Sequence, residues 1–146
     1  MIKAVATGCL AVAALAASIE PSLARSGIGA IFYSPSTGAY GYSDRYNSIA
    51  AANGRAQSEC EKRANGAGDC ALAQGFGGNC AALATVELSG KTNEGKPTVF
   101  RLSYPGVADD RDDAGSNALL NCQNNIRDAT LKGLCKLVVE VCSDDH

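Results

Sequence analysis

The sequence predicts an α+β fold: an antiparallel sheet with two helices, built from two β-β-α-β repeats and held by three disulfides. Three observations lead to this prediction. The N-terminus has the form of a secretory signal peptide, an even number of cysteines follows it, and the two halves of the remaining chain resemble each other at an offset of 62 residues, Cys60 against Cys122. Each half contains two strand-like runs, one helical run and one further strand-like run.

The first 24 residues predict a cleaved signal peptide. Lys3 gives a short positive start, and residues 4–17 form an apolar run that is too short to span a bilayer comfortably. Pro21 ends this run just before the small residues Ser22-Leu23-Ala24, which suit a signal peptidase. The alternative is a buried N-terminal helix.

Cleavage after Ala24 would leave one domain, residues 25–146, with half-repeats at about 27–78 and 79–143. The predicted location is secreted or periplasmic, with no stable membrane span after cleavage. The chain has 13 Lys and Arg against 15 Asp and Glu, without a basic stripe or a polybasic block. This balance argues against nucleic acid and anionic lipid as partners.

In the first half, turn and capping residues mark the boundaries of the elements. Ser34–Gly38 holds Pro and Gly where turns use them, and Ser48 is a candidate helix N-cap. Ala-rich sequence follows Ser48, and a Gly-containing segment ends it. The predicted elements are strands 28–33, 39–43 and 70–76 and a helix over 49–63.

In the second half, a longer hairpin with a polar loop at 90–96 precedes the helix. Acidic residues begin this helix, where the helix dipole favours them. The predicted elements are strands 81–88, 97–104 and 134–141 and a helix from Asp112 to about Asn125. Together the halves predict a sheet on one side and two helices on the other.

Removal of Cys9 with the signal peptide leaves six cysteines, which predict three disulfides in an oxidising compartment. Sequence alone leaves many pairings open. The repeat favours the pairs Cys60–Cys70, Cys122–Cys135 and, by what remains, Cys80–Cys142. Zinc binding and redox activity are the alternatives. Both are disfavoured because the chain has no C-x-x-C pair and its one histidine is the terminal His146.

The segments that form a recognisable pattern are Gly29–Ser34, Thr37-Gly38, Tyr40–Ser43, the Ala-rich helix ending in Cys60, Asp69-Cys70 and Val141–Ser143. Through these segments the mature chain resembles the small secreted bacterial family catalogued as domain of unknown function 4189. The resemblance implies a secreted or periplasmic bacterial protein, and it carries no activity and no catalytic residues. Members often place tryptophans around the second strand of each hairpin, where this chain has tyrosines and a phenylalanine (Tyr40, Tyr42, Phe100 and Tyr104).

Three tyrosines are the candidate binding residues. Tyr40 and Tyr42 stand two apart on one predicted strand and therefore share a face, and Tyr33 lies on the adjoining strand. If the helices cover this face, the rings belong to the core. If the face is open, it forms an aromatic patch suited to protein or carbohydrate contact.

No catalytic, metal or cofactor site is predicted. His146 stands at the terminus beside two aspartates, and no nucleotide-binding glycine loop occurs. Residues 109–113 form an acidic cluster that predicts a solvated loop and helix cap, with weak calcium binding or a contact surface for a cationic partner as alternatives. Glu87 and Glu140 lie in predicted strands, but no spacing singles out a catalytic pair.

These observations favour a non-catalytic binding module whose partner is an extracytoplasmic protein or an envelope polymer. The alternatives are a cell-envelope hydrolase and a purely structural secreted protein. Loss of activity on single Asp or Glu substitutions would indicate a hydrolase, whereas damage by Tyr40→Ala or Tyr42→Ala would indicate a binder. The sequence does not indicate an oligomeric state.

Overall fold

The computed structural model describes residues 27–128 and 131–143, which fold as four layers in the order helix, sheet, sheet, helix. The predicted signal peptide and His146 lie outside these residues. The elements, in chain order, are β1 (Ile28–Tyr33), β2 (Tyr40–Tyr46), α1 (Ile49–Arg63), β3 (Ala71–Gly77), β4 (Cys80–Lys91), β5 (Pro97–Ala108), α2 (Arg111–Asn125), a 3₁₀ turn (Lys132–Leu134) and β6 (Lys136–Cys142).

The strands form two separate antiparallel sheets of three, ordered β2-β1-β3 and β5-β4-β6. The α+β class, the antiparallel pairing, the two helices and the three disulfides are therefore confirmed. The arrangement with one sheet on one side and both helices on the other is wrong. The central strands β1 and β4 each have both edges occupied by strands of their own half, so the halves meet face to face.

Side-chain alternation along the central strands separates the layers. In β1, Ala30 and Phe32 pack toward α1, while Ile31 and Tyr33 point to the second sheet. In β4, side chains also alternate: one set points toward α2 and the other toward the first sheet. The buried residues between the two sheets are Ile31, Tyr33, Phe76, Ala81, Leu83 and Val141.

Each helix lies directly on a glycine of the second strand in its half. A Cβ atom at Gly41 would stand 2.2 Å from the Ala56 carbonyl oxygen of α1, and one at Gly106 would stand 2.3 Å from the Ala118 nitrogen of α2. No real Cβ tolerates such distances, so both strand positions require glycine. The buried alanines of the helices allow the same close approach from the other side.

Side chains cap both helices at their N-terminal ends. The Ser48 hydroxyl accepts a hydrogen bond from Ala51 N at 3.2 Å, as predicted for an N-cap. The Asp110 carboxylate accepts one from Asp113 N at 2.8 Å, so α2 begins at Arg111, one residue before the predicted start. The acidic cluster thus supplies a helix cap.

The three disulfides join Cys60 to Cys70, Cys122 to Cys135 and Cys80 to Cys142, the same pairs that the sequence analysis favours. The first two connect the end of a helix with the residues just before the next strand. The third joins directly paired residues of β4 and β6. Because the hydrophobic core is small and rich in Ala, these three bonds contribute much of the stability that a larger core would otherwise provide.

Several element boundaries differ from the sequence prediction. β1 and α1 begin and end where predicted, but the second hairpin is longer, with β4 reaching Lys91 and β5 reaching Ala108. β6 begins at Lys136, two residues later than predicted, because Lys132–Leu134 form a 3₁₀ turn. Within the described residues, no helix has the length and apolar character needed to cross a membrane.

Candidate functional site

The predicted tyrosine face lies mostly between the two sheets. Tyr33 pairs with Tyr40, and Ile31 pairs with Tyr42, so all three tyrosines belong to the face that meets the second sheet. Tyr33 is 5 % exposed and is part of the core, whereas Tyr42, on the edge strand β2, is 41 % exposed. Of the three predicted binding residues, the structure buries Tyr33 and leaves Tyr42 accessible.

Tyr40 is half-buried and is covered by a cation from α1. The guanidinium carbon of Arg63 lies 5.3 Å from the centre of the Tyr40 ring, and Arg63 Nη1 donates to the Tyr40 carbonyl oxygen at 3.0 Å. A polar recess of about 250 Å³ lies beside Tyr42, but an ion pair between Arg55 and Glu59, at 2.9 Å, occupies its wall. This recess therefore has few free groups for a ligand.

The turn between β1 and β2 is held by a network of hydroxyl groups and one carboxylate. The buried Ser34 hydroxyl donates to Asp69, and Thr37 Oγ1 donates to Ser34 Oγ at 2.8 Å. Ser36 N donates to the second Asp69 oxygen at 2.9 Å. Hydrogen bonds from Ser34 and Ser36 lower the pKa of Asp69. The network fixes the turn against the residue that precedes Cys70.

Arg101 of β5 connects this turn to the second sheet. Its Nε donates to Glu87 at 2.6 Å, and its Nη1 donates to the Ser36 carbonyl oxygen at 2.6 Å. Arg101 thereby lies at the end of the seam between the sheets, near Tyr33. Burial raises the pKa of the Tyr33 phenol; the positive charge of Arg101 acts in the opposite direction, and Glu87 adds to the rise.

The first of two apolar grooves, the inter-sheet groove, lies between the edge strands β3 and β5. Its volume is about 320 Å³. Arg101 supplies its only charged side chain, and the remaining lining is mostly apolar. The lining residues are Tyr33, Pro35, Ala71–Ala73 and Arg101–Tyr104.

The second groove, the helix-side groove, lies on the opposite face of β3, between that strand and α1. Its volume is about 400 Å³, and Asn53 supplies its only polar side chain. Ile49 at the start of α1 is 66 % exposed at its rim. Leu72 of β3 is 51 % exposed and lines both grooves. The lining residues are Ile28, Gly29, Ile49, Asn53, Leu72 and Gly75–Gly77.

Between the grooves runs the outer edge of β3, which has no neighbouring strand among the residues that the structure describes. Its sequence, ALAQGFG, contains no charged residue and no proline, the usual devices that keep an edge strand from pairing. Most of its residues are exposed or half-buried. The outer edge of β3 is therefore a backbone surface with an apolar groove on each face.

The other edge strands contain charged residues, and β5 also contains prolines. Side chains also bond to backbone groups along several edges; on β3, Gln74 bonds to the Gly75 carbonyl oxygen and Asn79 to Gly77 N. In β5, Asn121 Nδ2 donates to the Pro105 carbonyl oxygen at 2.7 Å, and Asn117 Nδ2 donates to that of Val107 at 3.0 Å. In β2, Arg63 occupies the Tyr40 carbonyl oxygen. In β6, Lys136 and Glu140 place charges along the strand.

The carboxylates that a hydrolase would use are not brought together. Glu87 pairs with Arg101 on the face of β4 that meets the first sheet, whereas Glu140 of β6 lies against Gly115 of α2 on the other face. In the acidic cluster, the neighbouring charge of Asp110 raises the pKa of Asp113. Across residues 27–128 and 131–143, no three His, Cys, Asp or Glu side chains form a group that could hold a metal ion.

Of the three predicted binding residues, Tyr33 alone lines one of the two grooves, and sequence reasoning missed the other lining residues. Ile49 lies in α1, whereas Leu72 and Phe76 lie in β3, and no local pattern connects the two segments. One signal was present: β3 is a strand-like run without any charge, in a sequence whose other strands carry charges or prolines at or near their ends. Such a run indicates either a central strand or an unprotected edge.

Fold and site together define a small disulfide-bonded α+β domain with an open sheet edge. The chain belongs to the family described as Domain of unknown function (DUF4189), whose model matches residues 28–142. This match confirms the resemblance and covers every described strand and helix. Neither the curated proteins nor the solved structures contain a match to the chain.

Proposed function

We propose that this chain is a secreted or periplasmic, non-catalytic binding module whose partner is a protein outside the cytoplasm. The observation that carries the proposal is the outer edge of β3, which pairs with no strand within residues 27–128 and 131–143 and has an apolar groove on each face. The predicted leader and the three disulfides support an extracytoplasmic location.

A protein partner fits this site better than a polysaccharide. Polar groups are a minority among the lining side chains, while a sugar ligand requires many polar partners for its hydroxyl groups. The polar groups are the Arg101 guanidinium, the Asn53 amide and the hydroxyls of Tyr33, Ser103 and Tyr104. Exposed Leu72 and Ile49 are typical of surfaces that exclude water on contact with another protein. A hydrolase is disfavoured because Glu87 and Glu140 lie on opposite faces of their sheet.

Affinity capture with a matched pair of variants tests the proposal. Oxidised protein, residues 25–146, would be immobilised and exposed to periplasmic and secreted extract from its own source, with reduced protein as a control. Leu72 and Leu120 are equally exposed, at 51 % and 52 %. Leu120, however, lies on α2, which is separated from β3 by the second sheet. We expect Leu72→Lys to lose the partner and Leu120→Lys to retain it.

The outcomes separate the candidate functions. A stoichiometric partner that is lost on reduction and in Leu72→Lys supports the binding module and its site. Capture of an envelope polymer instead of a protein would overturn the partner class. Absence of any partner would contradict the binding role. Glu140→Gln should leave capture unchanged, because Glu140 lies against Gly115 of α2 and lines neither the helix-side groove nor the inter-sheet groove.

A further inference from the structure

We propose that the seam between the two sheets contains a second binding site, which takes a small organic carboxylate with an apolar body. The site is a cavity of about 460 Å³, here called the seam cavity, and its volume lies in the range of small-molecule sites. No residue of β3 lines it, so the inference goes beyond the proposed partner-binding function. The lining residues that carry the argument are Tyr33, Thr85, Glu87, Leu134, Lys136 and Val138.

The second sheet forms one wall of the seam cavity, where its inward-facing row changes from apolar to polar residues. In β4, Ala81 and Leu83 belong to the core between the sheets, and Thr85 and Glu87 continue the same face. Lys136 of β6 pairs with Thr85 and therefore lies on this face too. The row places a hydroxyl, a carboxylate and an ammonium group where the core ends.

Tyr33 of the first sheet supplies the observation that points to a ligand. It is only 5 % exposed, and a buried tyrosine hydroxyl ordinarily has a hydrogen-bond partner. Within the part of the chain that the structure describes, the Tyr33 hydroxyl has no protein partner. No described side-chain nitrogen or oxygen is sealed from solvent without a partner, so this hydroxyl opens onto a space that Tyr33 lines. Those spaces are the seam cavity and the inter-sheet groove.

The charges of the seam cavity favour an anion as ligand. Arg101 donates to Glu87 at 2.6 Å, so the negative charge of this wall already has a partner. Lys136 is exposed and forms no ion pair with a described carboxylate. Burial raises the pKa of the Tyr33 phenol, so its hydroxyl stays protonated and can donate. A ligand carboxylate therefore finds one donor on each sheet, Tyr33 on the first and Lys136 on the second.

The rest of the lining selects the body of the ligand. Val138 is half-buried, Leu134 is exposed, and both line the seam cavity. Covering these side chains with hydrocarbon removes apolar surface from water, which favours binding. An inorganic anion would leave them uncovered, and a neutral hydrocarbon would leave Lys136 and the Tyr33 hydroxyl without a partner. A carboxylate on a short hydrocarbon chain satisfies both parts of the cavity.

An NMR titration with three ligands of equal chain length tests the head group. Hexanoate, hexanamide and hexylammonium would be added separately to the oxidised protein of the capture experiment, and its assigned amide shifts would be followed. We expect saturable shifts at Tyr33, Thr85 and Lys136 with hexanoate, with a dissociation constant on the order of millimolar. Hexanamide should bind about tenfold more weakly, because it lacks the charge, and hexylammonium should not saturate these shifts.

Two pairs of variants test the residues. Tyr33→Phe removes the hydroxyl and keeps the ring, and it should weaken hexanoate binding by about tenfold. Tyr42→Phe is its control and should leave the affinity unchanged, because Tyr42 does not line the seam cavity. Lys136→Met removes the charge and should weaken binding by about threefold or more. Its control is Lys91→Met, which alters an exposed lysine of β4 outside the cavity.

Binding of hexylammonium as tight as that of hexanoate would overturn the proposal, because the cavity would then accept any apolar chain. Shifts confined to other parts of the protein, no saturable shift with hexanoate, or undiminished affinity in Tyr33→Phe would also overturn it. If Tyr33→Phe does not fold, the exposed Lys136 keeps the test decisive, since undiminished affinity in Lys136→Met would contradict the site equally. Partner capture and its Leu72→Lys variant test the proposed function separately.

Discussion

The two halves of the molecule share one strand order but differ where their first and last strands meet. In the second half, Cys80 of β4 pairs with Cys142 of β6, and a disulfide joins them. At the corresponding place in the first half, Ile28 of β1 pairs with Gly77 of β3 without a covalent bond. The helix-side groove opens beside this unbonded pair.

The two halves also differ in the space between the helix and the last strand of each half. In the second half, Glu140 and Leu137 of β6 lie against Gly115 of α2, and a Cβ on that glycine would stand 2.2 Å from the Glu140 carboxylate. In the first half, Gly75 has no atom within 4 Å of a Cβ position. One topology thus gives a filled space in one half and an open groove in the other, and the difference comes from a few side chains.

The largest expected effect on stability comes from the Cys80–Cys142 disulfide, which joins two paired strands of the second half and has no counterpart in the first half. It closes a loop of 62 residues, compared with 10 and 13 for the other two. In the chain-entropy model, replacing Cys80 and Cys142 by serine should lower the free energy of unfolding by about 4 kcal/mol, against about 3 kcal/mol for Cys60 and Cys70. Urea unfolding measures both. An equal or smaller loss for Cys80 and Cys142 would contradict the ranking.

Alanine at either strand glycine under a helix should cost somewhat less. Gly41→Ala and Gly106→Ala would each force a backbone atom of the helix away from the new Cβ, at about 3 kcal/mol. Gly54→Ala in α1 is the control, because nothing lies within 4 Å of its Cβ position, and it should stabilise the protein by about 1 kcal/mol. If Gly41→Ala and Gly54→Ala behaved alike in urea, the close approach of α1 to β2 would be wrong.

Acid should weaken the first half through Asp69. Because the folded-state pKa of this carboxylate lies below its ordinary value of 3.8, its contribution to stability is complete above that value and is lost as pH falls through the folded pKa. The Asp69→Asn variant lacks this carboxylate. The difference in unfolding free energy between the native protein and the variant should therefore shrink as pH drops below about 4. Unfolding followed from pH 7 to pH 2 tests this. A constant difference between the two proteins would argue against the Asp69 network.

The smallest effect on stability is expected from Gly75→Glu, a substitution that makes β3 of the first half resemble β6 of the second. Gly75→Glu places a carboxylate where β6 has Glu140, and the open space means that stability should change by less than about 1 kcal/mol. Partner binding should nevertheless fall, because the side chain fills the helix-side groove. Normal unfolding with undiminished capture would show that this groove is not used.

The sequence predicted local structure well where the signals are local. Ser48 marks the start of α1, Pro35 and Gly38 mark the first turn, and the matched positions of Cys60 and Cys122 favour the disulfide pairs that the structure contains. The number of sheets was not predictable in this way. Strand alternation shows which residues share a face, but it does not show whether β1 and β4 pair with each other or lie in separate sheets.

The open edge could not be predicted for a related reason. Whether a strand is central or at an edge depends on partners that are distant in the chain, and an uncharged run such as ALAQGFG suits both positions. The tyrosines are rare in this sequence and are therefore predicted as binding residues. Whether Tyr33 is buried, however, depends on the second sheet, which packs against it. The grooves exist only when residues of β1, α1, β3 and β5 are brought together.

The most direct test of an open first half and a closed second half is hydrogen exchange of β3 compared with β6, in the oxidised protein with and without its captured partner. In the free protein, the Ala71–Phe76 amides should exchange faster than those of Lys136–Cys142, although both strands lie at sheet edges. The reason is that β6 packs against α2 through Leu137 and Glu140 and is joined to β4 by a disulfide, whereas β3 borders an open groove and has no cross-strand disulfide. The partner should slow exchange at β3 and leave β6 unchanged. Equal protection of the two strands in the free protein, or a partner that protects β6 instead, would contradict this description.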